Sequence, residues 1–174
     1  MSVANRALTL LAIVGEIMSS WLYINILLLI TVILTLNYAP SELPVHIIIG
    51  LGGLLLVLFN WTRHAVFSTI RNSNDRQKKI RLATISKKIL PFHRWTGTTA
   101  LVLIIIHAWM ILSKYDFLWT SWKLISGIAA GIILLCMVAT GWLRLYWPSR
   151  RRRWAHIIIG FLLFFLIAIH TLVF

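Results

Sequence analysis

The chain has 174 residues, 60% of them apolar and only 12% charged, and its mean hydropathy is +0.88. Soluble domains do not carry so few charges, and a helix needs about 20 largely apolar residues to cross lipid, so about five spans use up the length and exclude a soluble catalytic domain. The net charge of +13 gathers in two short segments between apolar runs, a pattern that speaks against nucleic acid and marks cytoplasmic loops instead.

The fold expected from this pattern is an all-α membrane protein, a bundle of about five transmembrane helices. Residues 7–38 would measure roughly 48 Å as one helix, too long to stand upright in a bilayer. The first part, residues 1–19, therefore reads as an interfacial N-terminal segment, and the first span as residues 20–37. Arg6 is followed by no small-residue cleavage site, so the segment reads as an anchor and not as a signal peptide. Glu16 lies in it and would be solvated at the interface.

Pro40 and Pro44 separate the first span from the second, residues 45–67, whose Gly50, Gly52 and Gly53 give it a small-residue face. His46 and His64 fall near its two ends, where a solvated imidazole is the default; His64, beside Arg63, is placed to help bind a carboxylate or a quinone. The stretch from Arg71 to Lys88 holds Arg71, Arg76, Lys78, Lys79, Arg81, Lys87 and Lys88 against Asp75 alone, and reads as a cytoplasmic loop.

The third span, residues 91–112, starts at Pro91, and the fourth covers residues 122–147. Gly127 and Gly131 form a GxxxG pair in the fourth, read as a helix-packing face. Pro148 breaks that span, and Arg150 to Arg153 mark a second cytoplasmic turn before the fifth, residues 154–174. Both basic segments then lie on one side, with the N-terminus inside and the C-terminus outside. Tryptophans 61, 95, 119, 122, 147 and 154 sit near the expected span ends, as an interfacial belt requires. Cys136 is the single cysteine, which excludes an intramolecular disulfide and a CxxCH attachment motif.

The third and fifth spans share one pattern, H-x3-G-x9-H: His93, Gly97 and His107 in one, His156, Gly160 and His170 in the other. Fourteen residues leave the two histidines of each helix about 40° apart around its axis and roughly 21 Å apart along it. Each helix thus presents two imidazoles on one face at two depths. Because the two spans cross in the same direction, His93 should face His156 on the cytoplasmic side, and His107 should face His170 nearer the outside. Intramembrane histidines at duplicated positions point to function.

Zinc or copper would ask for three or four convergent ligands, whereas each level offers two imidazoles. A haem brings its own four equatorial nitrogens and needs only two axial ones. The expected cofactor is therefore non-covalent haem b, two per chain, between the third and fifth helices, with His93, His107, His156 and His170 as iron ligands. Gly97 and Gly160, one turn from the inner histidines, would leave room for a porphyrin. Arg94 and Arg153 adjoin those histidines and would pair with haem carboxylates as well as fix topology.

The strings FHRWTG, with a histidine fourteen residues on from its own, and RRRRWAHIIIGFLLFFLIAIH resemble the ferric reductase-like transmembrane domain superfamily, over residues 45–174. That superfamily includes ferric reductases, NADPH oxidases and the bacterial haem subunit that serves a periplasmic methionine sulfoxide reductase. The resemblance implies two haems passing electrons outward from the cytoplasmic face. The reductase and oxidase branch continues into a sixth helix and a flavin- and nicotinamide-binding region, and neither that helix nor a GxGxxG loop occurs here.

The sequence thus leads to a transmembrane dihaem b-type cytochrome of a bacterial plasma membrane, an electron-transport protein or oxidoreductase subunit embedded in lipid. Its donor would be a cytoplasmic flavoprotein reductase or a quinol, and its acceptor would lie on the outer side. The alternative reading is a transporter or channel whose histidines handle protons or metal. A haem-free assembly partner is a third.

Overall fold

The computed structural model describes residues 20–36, 43–114 and 121–172. Glu16 with the rest of the 1–19 segment, Pro40, Asp116 and Trp119 lie outside the described residues. These residues form five α-helices: α1 (Ser20–Leu36), α2 (Val45–Asn72), α3 (Arg76–Lys114), α4 (Trp122–Tyr146) and α5 (Arg150–Leu172).

Helix α1 has 17 residues with no charge and no proline, and so measures roughly 26 Å. It is tied to α2 by the Asn25 side-chain amide, which donates to the Leu58 carbonyl at 3.0 Å. Helices α2 to α5 are each long and apolar enough to cross a membrane, yet only between 6% and 28% of their apolar windows is buried within the bundle. Val45, Phe92, Ile105, Ile132, Ile158 and Phe165 all stand outward and exposed. An apolar surface of that extent is stable only against lipid. The chain is a multi-pass integral membrane protein with an all-α bundle.

The basic segments depart from expectation. The stretch read as a loop from Arg71 to Lys88 is almost wholly helical, and only residues 73–75 separate α2 from α3. Asp75 provides the start: its Oδ1 accepts from the backbone amides of Gln77 at 2.8 Å and Lys78 at 3.3 Å, the N-cap arrangement that satisfies first-turn donors. Pro91 then falls inside α3; it cannot donate to the carbonyl four residues back, but the helix continues through it. The arginines placed in a second turn are instead the first turn of α5, because Ser149 caps them by accepting from the Arg152 amide at 3.2 Å.

Two apolar clusters hold the bundle. Leu28 and Val32 of α1 meet Leu54, Leu58 and Trp61 of α2 and Phe164 of α5; Val57, Ala100, Leu134 and Leu163 join α2, α3, α4 and α5. Trp61 is therefore no belt residue: α2 runs on to Asn72, so position 61 is interior, and its ring is 8% exposed. Trp95, Trp122, Trp147 and Trp154 are all exposed, as an interfacial belt would have them. Helix α2 packs most closely on α3 and α4 on α5, whereas α3 and α5 hardly approach each other through their backbones.

Candidate functional site

What does cross the gap between α3 and α5 is imidazole. His93 faces His156 with ring centroids 6.4 Å apart, and His107 faces His170 at 6.5 Å; in both pairs the ring planes stand at 79°. The structure thus brings all four histidines together as two pairs, level by level, as the parallel course of the two helices requires.

Each ring is held by its Nδ1. His107 Nδ1–H donates to the His46 carbonyl at 2.7 Å, and His170 Nδ1–H to the Lys123 carbonyl at 3.0 Å. His156 Nδ1 lies 3.0 Å from Thr140 Oγ1, whose own proton goes to the Met137 carbonyl at 2.9 Å, so that hydroxyl oxygen is an acceptor. His93 Nδ1 lies 3.1 Å from Asn60 Oδ1, which the Thr96 hydroxyl also approaches at 2.7 Å. With an acceptor at every Nδ1, the proton sits there and Nε2 keeps its lone pair. This is the tautomer and the outer-sphere support that metal-binding histidines use.

The fit to a metal can be tested on the pair separation. With a metal–nitrogen bond of about 2.0 Å and a ring centre about 1.1 Å from its atoms, two imidazoles on opposite sides of one metal have centroids about 6.2 Å apart, near the 6.4 and 6.5 Å observed. Among the described residues no three His, Cys, Asp or Glu side chains converge, so a bare ion would lack ligands. A group carrying its own in-plane nitrogens would not, and the separation of the α3 and α5 backbones leaves it a place. At the inner level an open-sided cleft is bordered by both imidazoles, Arg94, Gly97, Leu134 and Gly160. The residues present fit a haem.

The glycines are adapted to the imidazoles more than sequence suggests. A Cβ on Gly50 would come within 2.8 Å of His107 Nδ1, and one on Gly127 within 2.8 Å of His170 Cε1. Gly127 therefore makes room for a ring and is not simply half of a packing motif, while a Cβ on Gly131 would meet nothing within 4 Å. Gly97 and Gly160 border the inner cleft as expected, and side chains there would first meet Asn60 Nδ2 at 3.3 Å and the Met137 methyl at 3.1 Å.

Arg94 borders the inner cleft, but Arg153 borders a neighbouring recess with Arg144. Arg63 and Arg144 lie within electrostatic reach of both inner histidines, a placement the sequence reading missed. Asn60, Thr140 and Ser126 were missed too; their signal is a small polar residue inside an apolar run. His46 acts through its carbonyl, and its ring lies 6.4 Å from that of His107. His64 is packed among Trp21, Trp61 and Phe161 at centroid distances of 5.5, 5.1 and 4.7 Å, and is not a freely solvated ring.

Comparison of the chain with models of protein families, with curated proteins and with solved structures returns no match, so its functional reading rests on the residues and their geometry.

Proposed function

We propose that this chain is a transmembrane dihaem b-type cytochrome, carrying electrons from a donor on its basic side to an acceptor on the other. One observation supports this most: two imidazole pairs with centroids at 6.4 and 6.5 Å, each ring held by an Nδ1 contact that would leave Nε2 to act as the ligand nitrogen. Bound haem, held by His93 with His156 and by His107 with His170, would supply a one-electron iron centre at each depth and so suit electron transfer.

The protein's part is positioning. Asn60, Thr140 and the carbonyls of His46 and Lys123 fix the four rings, and fixed ligands need little rearrangement when charge changes. Gly50, Gly127 and Gly141 accommodate the rings from behind, since Cβ atoms there would approach His107, His170 and His156 respectively. Arg94, with Arg63 and Arg144 near the inner pair, would meet the carboxylates of a haem there. The two levels lie roughly 21 Å apart along α3, so together they divide the bilayer into shorter steps.

The likeness to ferric reductase-like domains agrees with this reading and suggests a flavoprotein or quinol donor. The test is vectorial: protein reconstituted into vesicles enclosing ferricyanide should discharge it when dithionite is added outside. Vesicles with a His93→Ala, His170→Ala variant should not. Equal rates for the two would reject electron transfer through the bundle.

A further inference from the structure

The four consecutive arginines at the head of α5 do not act alike. Arg152 serves the end of α4: its Nη1 donates to the Trp147 carbonyl at 2.5 Å and its guanidinium lies 5.8 Å over the Trp147 ring. Arg150 and Arg153, three residues apart, share a helix face and border a recess with Arg144, Pro148 and Ser149. Three arginines therefore line one recess, with Arg153 within electrostatic reach of Arg144. Asp75, the one acid among the described residues, is occupied at the cap of α3.

A second unfavourable arrangement coincides with this one. The start of a helix carries partial positive charge and favours anions, yet the first turn of α5 holds four arginines and no acid. Like charges set near each other and against the helix dipole repel, and a bound anion would relieve both repulsions. The recess lies at the junction of α4 and α5, between two apolar spans, where a bilayer's headgroups would be expected.

We propose that Arg144, Arg150 and Arg153 form a phosphate-binding site, and that in the membrane its ligand is the phosphodiester of an anionic phospholipid. Guanidinium forks match phosphate oxygens. The site goes beyond the electron-carrier reading, with which it shares Arg144 alone. Topology alone would ask only for positive charge, whichever way it pointed; here two of four neighbouring arginines turn into one recess with a third from α4.

The test uses the full chain in detergent, stripped of lipid and offered equal phosphatidylglycerol and phosphatidylcholine, with retained lipid counted by mass spectrometry of the intact complex. Phosphatidylglycerol should be preferred, the preference falling about fivefold in Arg150→Gln and on the order of a hundredfold when all three are glutamine. Arg151→Gln, outside the recess, should leave it unchanged, and circular dichroism should show every variant equally helical. Equal losses in Arg150→Gln and Arg151→Gln would overturn the proposal. Release of the lipid by low-millimolar inorganic phosphate would overturn its lipid part and assign the site to the free anion.

Discussion

Asn60 of α2 and His93 of α3 meet side chain to side chain, Oδ1 to Nδ1 at 3.1 Å, and this is the one imidazole contact in the two pairs that depends on a side-chain amide. It makes Asn60 the most direct test of outer-sphere support. Asn60→Leu should weaken haem retention at the inner level by roughly 10- to 100-fold and leave the outer level intact. Titration of apoprotein with haem checks this, one affinity falling while the other holds.

The glycines make a sharper prediction of steric kind. Gly50→Ala and Gly127→Ala each drive a Cβ to within 2.8 Å of an outer imidazole, and overpacking of that degree costs about 1–3 kcal/mol. Both should disturb the outer level alone, read as a changed midpoint potential or lost absorbance. Gly131→Ala, four residues on from Gly127 with nothing within 4 Å, should behave as wild type.

Pairing by depth predicts that His93→Ala and His156→Ala share one spectral defect and His107→Ala and His170→Ala another. The 79° between ring planes in both pairs adds a signature. Low-spin ferric iron between near-perpendicular imidazoles gives an electron paramagnetic resonance signal with one large g value, so both levels should show it. Signals of the parallel-ring type would contradict the arrangement.

Much of this was legible in the sequence because membrane spans announce themselves by composition and because H-x3-G-x9-H repeats at helical spacing. What escaped had physical reasons. The stretch from Arg71 to Lys88 reads as a loop when hydropathy is the criterion, but charge does not unmake a helix: it holds no glycine or proline, and Asp75 caps the start of α3. The carbonyls of His46 and Lys123 leave no mark in a sequence, because every residue has one. Asn60, Thr140 and Ser126 did leave a mark, and were passed over beside the histidines they support. Trp61 was misplaced with the end of its helix.

The basic end sets the direction of the account. A reporter inserted between Ser73 and Asn74 should be silent as a periplasmic fusion, and one after Phe174 should be active. If an acidic flavoprotein is the donor, glutamine at the exposed Arg81, Lys87 and Lys88 should slow its reduction of the protein roughly tenfold at low salt and have little effect at high salt. A quinol, arriving through lipid, would give rates that ionic strength does not change.

The measurement that bears most directly on the central claim is a reduced-minus-oxidised visible spectrum of the detergent-purified chain, joined to a haem-to-protein ratio. Two haems per chain, both extracted by acidified organic solvent since no CxxCH motif holds them, is the predicted result. Folded, helical protein recovered from haem-replete cells with no haem and no such spectrum would contradict the account.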